Sequence, residues 1–391
     1  MYFLLIYLFD YLKRYTFIEV YFEKKVFFFS YLNFKKRLFD TFKNKSNTIL
    51  ILKTDAIGDY LIFRPYLSYI RSIYPKTKLI LVGNVIWKDL AEQLDSKEID
   101  EFYWINKKND LFNLDQETIN LFLNITQKRY LKAIYPVYSR ENIFGDFIMS
   151  FISAKEKATY MGDEINNPKL QEYNSLYTKC ITVKAIHDQS KHKEFFEILT
   201  NKKIEETFLK FSLDVKNKRE QVITISPGSS QFHKMWSFEN WLNVIDYILI
   251  HYPMYELLII GDNESSVFSE KVEKKYNGNK SISNLINKTT LMEVIALIAK
   301  SKVLLTVDSM AVHIGYQTST PTICLYKGNH YGRFLPYSNY PKMKMCIPSE
   351  LNNIEDVKRI ILFYKNEGLN IELITVENLI SNFNQMMLDL L

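Results

Sequence analysis

At 391 residues the chain is longer than one ordinary core organises, and a hydrophobic content of 47% supports two folded domains with an appendage. Eleven glycines, ten prolines and no low-complexity run exclude a largely disordered or fibrous chain, while Cys180, Cys324 and Cys346 lie too far apart for a disulfide framework or a thiolate metal site. The charge of +6 is concentrated in residues 1–46, which hold nine basic and four acidic side chains for a net of +5; with no recognition motif beside that excess, nucleic-acid binding is excluded.

Basic pairs in this leader (Lys13-Arg14, Lys24-Lys25, Lys35-Lys36) recur every 11 residues among Phe and Tyr. That period is close to three helical turns, so one amphipathic helix would carry the charges along one face and the rings on the other. The pattern suits the surface of an anionic membrane; helices packed on the protein's own surface are the alternative. No uncharged run approaches the roughly 20 residues of a spanning helix. A basic n-region and a small-residue cleavage site are also lacking, so no signal peptide is expected.

A first series of alternating elements follows. Thr48–Lys53 reads as a strand, Tyr60–Tyr74 as a helix stopped by Pro75, and Lys78–Val82 as the next strand. Glu101–Ile105 and Ala133–Val137 continue as strands, with a helix after Arg140 and another over Lys191–Leu199. The second series has strands at Gln221–Ser226, Glu256–Gly261 and Val303–Val307, and helices at Phe238–His251, Leu291–Ala299 and from Met310. Such alternation predicts an α/β protein of two doubly wound, Rossmann-like domains facing a cleft. The expected boundaries are 1–46 for the leader, 47–205 and 215–345 for the two domains, and 346–391 for C-terminal helices with the length to cross back to the first domain.

Several strand ends carry chemistry. Asp59 opens the helix after the first strand, at the sheet edge where ligands gather in open α/β folds; it reads either as a helix cap or as a general base. Ser226-Pro227-Gly228-Ser229-Ser230 follows a strand directly, and its hydroxyls and backbone N–H groups suit a phosphate, with Lys234 close behind to offset negative charge. Glu264, after Gly261, is placed either to accept from sugar hydroxyls or simply to occupy a turn. Asp308 or Ser309 caps the helix from Met310, aiming its first N–H groups at an anion, and His313 lies on the same early turns. Arg140, Lys191 and His192 are candidate contacts for an acidic or phosphorylated sugar. No strand end carries the Asp-x-Asp pair that holds a divalent ion, so no metal is expected.

Taken together these segments resemble glycosyltransferase family 9, the ADP-heptose:lipopolysaccharide heptosyltransferases, over roughly residues 48–340. Ile49–Pro65 matches the family's opening motif, with the Gly-Asp pair at Gly58 and Asp59 and its proline at Pro65. Ser229, Ser230 and Lys234 fall on its Pro-Gly-(Ala/Ser)-Ser…Lys-x-Trp segment, Glu264 on its Gly-x-x-Glu, and Asp308 to His313 on its Asp-(Thr/Ser)-Gly-x-x-His. Two departures stand out: Met310 replaces the small residue, and Tyr326-Lys327-Gly328-Asn329 replaces Phe-Gly-Pro-Thr. The resemblance implies a glycosyltransferase B fold with an acceptor-binding first domain and a nucleotide-sugar-binding second one. It implies inverting, metal-independent transfer of a heptose from ADP-heptose, with Asp59 as base and Lys234 at the leaving group. Ser229, Ser230, Glu264, Asp308, Ser309, Met310 and His313 would bind the donor. The acceptor would be a lipopolysaccharide core or a related lipid-linked glycan, met by a cytoplasmic enzyme at the inner face of the inner membrane, with no cofactor besides the donor. Donor, acceptor and linkage stay open, as does another sugar nucleotide. A nucleotide-binding oxidoreductase lacks support because no Gly-x-Gly-x-x-Gly follows the first strand. A decayed, membrane-attached binding protein would have only Met310 in its favour.

Overall fold

The computed structural model describes residues 29–34, 36–37, 46–106, 116–126, 128–163, 170–205, 219–337, 340–351 and 368–391. The chain divides into two compact units, the first made of Met1–Asp55, Ile70–Val183 and Ile198–Thr200, the second of Ala56–Tyr69, Lys184–Glu197 and Asn201–Leu391. This corrects the expected division near residue 205. Two segments of the first alternating series, around Asp59 and around Lys191, belong to the second unit.

The first unit holds a six-stranded parallel sheet of β1 (Thr48–Lys53), β2 (Lys78–Asn84), β3 (Glu101–Ile105), β4 (Arg129–Tyr135), β5 (Ser153–Tyr160) and β6 (Lys179–Ile181), in the order β3-β2-β1-β4-β5-β6. In register, Leu50 stands between Ile80 and Ala133. All six residues of β1 are buried, which explains its unbroken apolar run: helices cover a parallel sheet on both faces. The helices of this half of the chain are α1 (Ile57–Phe63), α2 (Pro65–Ile73), α3 (Lys88–Leu94), α4 (Gln116–Ile125), α5 (Phe147–Phe151), α6 (Leu170–Asn174) and α7 (Asp188–Thr200). The single helix expected over Tyr60–Tyr74 is therefore two. Pro65 lacks the N–H that would continue α1, and its fixed φ suits the first position of a new helix. The strand expected at Ala133–Val137 runs earlier, at β4, and polar β5 was not anticipated at all.

Part of the leader is described. Residues 29–34 are helical, and Leu32 is fully buried in the first unit's core with Leu50, Phe122 and Phe151. Phe29 packs at 5.3 Å on Phe151 and 5.1 Å on Phe147, between ring centres. Here the leader packs on the protein itself; the rest of the expected amphipathic helix lies outside the described residues. Among the described residues no helix is long and apolar enough to cross a membrane.

The second unit holds β7 (Val222–Ser226), β8 (Glu256–Ile259), β9 (Ile282–Asn284), β10 (Val303–Val307), β11 (Thr322–Leu325) and β12 (Met343–Cys346), all parallel, in the order β12-β11-β10-β7-β8-β9. Its helices are α8 (Phe238–His251), α9 (Ser266–Tyr276), α10 (Leu291–Lys300), α11 (Met310–Gln317) and α12 (Val376–Asp389). Local chemistry sets their starts: Ser237 caps α8 by accepting from Asn240 N at 3.3 Å, and Thr290 with Glu293 forms a capping box on α10. The expected crossing of the last helix back to the first domain is corrected. Leu379, Phe383, Met386 and Met387 of α12 are buried in the second sheet's own core with Ile223, Trp241 and Leu325.

Both sheets are doubly wound from a central pair, β1 with β4 and β7 with β10. At such a pair the chain leaves toward opposite faces, opening a crevice at the carboxyl ends of the strands where ligands bind.

Candidate active site

In the second unit that crevice lies between the ends of β7 and β10. Ser226, the last residue of β7, leads into Pro227-Gly228-Ser229-Ser230; Val307, the last of β10, leads into Asp308 and Ser309. Ser229 is buried and its Oγ accepts from Gln231 N at 3.3 Å, whereas Ser230 is exposed. Gly228 is required by a close approach: a Cβ there would stand 2.3 Å from Oγ of Ser265, which is fully buried behind the loop.

A short helical turn, Phe232–Lys234, follows the serine loop and is anchored by Trp236. The indole of Trp236 is buried edge-on against Trp241 at 5.4 Å and donates from Nε1 to the Ile374 carbonyl at 3.0 Å. So fixed, the turn brings Lys234 Nζ to 2.7 Å from Asp308 Oδ2. The same carboxylate oxygen accepts from Nδ2 of Asn329 at 3.2 Å. Asn329 reaches it because Gly328 turns the chain with a φ of +90°, a conformation a side chain would strain. Asn329 was not anticipated, and no periodicity marks it; its only signal is the Gly-Asn pair, common to many turns.

Ser309, rather than Asp308, caps α11: its Oγ accepts from Ala311 N at 3.3 Å. The Asp308 side chain is left to Lys234. Met310 is half-buried at the first position of α11, where the backbone N–H groups point toward the crevice. His313, one turn on, is buried with its Nδ1 2.7 Å from the Tyr337 hydroxyl. Burial pushes its pKa down to about 4, so the ring is neutral near pH 7.

Asp59 sits in the first turn of α1, half-buried. The preceding Gly58 lies against His313, with the place of a Cβ 3.0 Å from His313 Cδ2 and 3.3 Å from Nε2. Further along, Gln317 of α11 donates to the Leu61 carbonyl of α1 at 2.5 Å. Asp59, His313, Asp308 and Lys234 thus belong to one compact unit, although 249 positions separate Asp59 from Asp308 in the chain.

Glu264 is exposed on the turn Asn263–Ser265 after β8. Its neighbour Asp262 is pushed up to about 6, by crowding of the surrounding protein and by the Glu264 carboxylate, although it keeps contact with solvent.

Arg140, Lys191 and His192 are buried and engaged by the protein's own groups. Arg140 donates to Asn174 Oδ1 at 2.6 Å and covers the Tyr177 ring. Lys191 pairs with Asp188 at 2.8 Å, a carboxylate shared with Arg333. His192 packs between Phe63 and Tyr66. In the first unit, Lys53 at the end of β1 is buried with Nζ 2.8 Å from Asp55 and 3.3 Å from the Pro136 carbonyl. A charge closing an apolar central strand was the available signal for it. Among the described residues no cluster of His, Cys, Asp and Glu is placed to hold a metal ion.

Comparison with known proteins bears on this arrangement. The model of glycosyltransferase family 9 (heptosyltransferase) matches residues 175–361, which include the loops carrying Ser229, Lys234, Glu264 and Asp308. No curated protein matches the chain in sequence. Among solved structures, the family 9 glycosyl transferase from Veillonella parvula superposes with a TM-score of 0.66 at 16% identity, over 89% of this chain and 99% of that one. The E. coli heptosyltransferase WaaC with ADP gives 0.61 at 14% identity, over 81% of this chain and 99% of its own. E. coli ADP-heptose lps heptosyltransferase II gives 0.60 at 15% identity, over 88% and 99%. At such identities the superpositions establish the fold, two doubly wound sheets of the glycosyltransferase B class, while the family model speaks to the sequence itself. With both in agreement, the chain is a glycosyltransferase whose residues 175–361 match the family 9 model.

Proposed function

We infer that this glycosyltransferase moves a heptose from ADP-heptose to a lipopolysaccharide core or a related surface glycan, with inversion and without a metal ion. The observation that carries the reading is the Lys234–Asp308 pair at the second sheet's switch point, beside the start of α11. A leaving ADP carries two phosphates whose charge grows as the glycosidic bond breaks. Lys234, the N–H groups opening α11 and the hydroxyls of Ser229, Ser230 and Ser309 supply compensating donors without an ion. Asp308 holds the ammonium in place, and Glu264 is the candidate for the ribose hydroxyls.

Inversion needs a single displacement. The acceptor hydroxyl attacks the anomeric carbon from the face opposite the diphosphate and gives up its proton to a carboxylate, for which Asp59 is the candidate. Gly58 against His313 keeps that carboxylate's helix beside the donor-binding segment. The structures of WaaC with ADP and of E. coli ADP-heptose lps heptosyltransferase II support the choice of nucleotide and sugar. Arg140, Lys191 and His192 do not enter this reading, because burial occupies them internally.

The deciding experiment supplies ADP-heptose with a lipid-linked, heptose-free glycan and follows ADP release together with the mass of the acceptor, with and without EDTA. Coupled ADP release and a heptose mass gain, undiminished by EDTA, are expected. Failure of transfer despite ADP binding would refute the acceptor, and loss of activity restored by Mg²⁺ would refute the metal-free mechanism. Met310 motivates a second reading, the same reaction with another nucleotide sugar. Thermal stabilisation by ADP, UDP and GDP in parallel separates the two, since a ligand that binds only the folded state raises its stability. Attachment to the inner face of the inner membrane through the leader is part of the same proposal.

A further inference from the structure

Tyr337 lies outside every motif above, in the irregular stretch after β11, with its hydroxyl 2.7 Å from Nδ1 of His313. Both residues are buried, at 5% and 6% exposure. The phenol ring is also held from its face. It stacks on Tyr316, three residues after His313 on α11, with 3.6 Å between ring centres and 4° between planes, and the His187 ring stands 4.8 Å away.

Among the described residues the Tyr337 hydroxyl forms no second hydrogen bond. A buried O–H without an acceptor is costly, so its proton lies toward Nδ1, and Nδ1 accepts. Burial keeps both groups in the required states: the phenol is raised well above its ordinary range and stays protonated, and the imidazole stays neutral. A neutral imidazole that accepts at Nδ1 carries its proton on Nε2. The Nε2 edge is the one turned to α1, 3.3 Å from where a Cβ on Gly58 would stand.

The geometry points to Tyr337 as a positioning residue that locks His313 in its Nε2–H tautomer, so that an uncharged N–H donor is presented beside Gly58 at the start of α1. The inference rests on reading the Asp308–His313 segment as the donor site. There the N–H meets an oxygen of the sugar diphosphate; the opposite tautomer would turn a lone pair toward that oxygen and repel it. Tyr337 acts only through His313.

The test uses the full-length protein labelled with ¹⁵N-histidine, in which long-range proton–nitrogen correlations read the tautomer of each ring. His313 is assigned by the loss of its signals in His313→Gln. An Nε2–H tautomer is expected in the wild type. In Tyr337→Phe, which keeps the stacked ring, a mixture of tautomers is expected, with ADP affinity and turnover each lower by about 2- to 10-fold, the worth of one neutral hydrogen bond. The His313→Gln side chain places an amide N–H near the same point without needing Tyr337. Adding Tyr337→Phe to it should therefore leave ADP affinity unchanged. An Nδ1–H tautomer in the wild type, an unaltered tautomer in Tyr337→Phe, or additive losses in the double variant would each overturn the lock. If the tautomer shifts while ADP affinity and turnover stay constant, the lock stands and the donor-site reading beneath it falls.

Discussion

Gly58 rests against the ring of His313, so closely that a methyl group at Gly58 would stand 3.0 Å from Cδ2. This contact joins the start of the helix bearing Asp59 to α11, the helix capped by Ser309. Gly58→Ala should force the imidazole or α1 to give by a few tenths of an ångström. Alanine's higher helix propensity, about 1 kcal/mol, offsets the crowding, so the melting temperature should hardly move. Turnover should fall by roughly tenfold, because reacting groups tolerate little displacement. Steady-state kinetics beside a thermal melt would show it; equal losses in both would mean the contact serves packing alone.

Asp59→Asn should leave ADP affinity nearly intact and lower turnover by about 10²- to 10⁴-fold, the usual contribution of a positioned base. Turnover unchanged at saturating substrates removes Asp59 from the mechanism.

Lys234→Ala and Asp308→Asn probe one ion pair from its two ends. The first removes the ammonium proposed to meet the diphosphate and should weaken ADP binding by about 1.5–3 kcal/mol. The second keeps the ammonium but loosens it, since Asn329 and Lys234 share Asp308 Oδ2. A smaller loss is expected there. Calorimetric titration with ADP ranks the two variants, and the reverse order would reassign ligand contact from Lys234 to Asp308.

Acid should unfold the protein partly through His313. Its folded pKa is held down to about 4 by burial against an ordinary 6.5. Between those values the unfolded chain binds the proton and the folded chain does not, so stability falls as pH is lowered through this window. The loss from this group is roughly 3 kcal/mol in all, and none is incurred above pH 6.5. His187, lowered mainly by burial, adds in the same sense. Asp262 opposes it, because a carboxyl raised to about 6 holds its proton better in the folded chain. Melting temperatures between pH 4.5 and 7 should slope less steeply in His313→Gln than in the wild type, and parallel slopes would exclude His313 as the cause.

The leader should behave as two parts. Leu32 is fully buried, so Leu32→Ala should cost about 2–5 kcal/mol, read from denaturant unfolding. Removal of residues 1–28 leaves Leu32 and Phe29 in place and should preserve the fold while reducing salt-sensitive binding to anionic vesicles. Vesicle binding that survives this truncation would place the membrane contact elsewhere.

The chain's local patterns determine much of this protein without reference to its tertiary contacts. Apolar runs such as Thr48–Lys53 and Val303–Val307 are strands because their residues are β-branched or leucine and both faces are covered. Ser237 and Thr290 start helices through their own hydroxyls, and the loops at Ser226 and Asp308 follow strands directly, which alone made them phosphate candidates. Short or polar strands such as β5 and β9 escaped, because their pairing partners, not their own side chains, hold them in the sheet. Tertiary structure alone decided the rest. Lys234 finds Asp308 because Trp236 fastens its turn to the Ile374 carbonyl, 138 residues away. Segment 56–69 joins the second unit because Gln317 and His313 meet it, and Tyr337 reaches His313 from an irregular stretch with no pattern to announce it. Hydrogen bonds and close contacts between residues far apart in the chain leave no periodicity behind, so the residues that position the chemistry are visible only once the chain is folded.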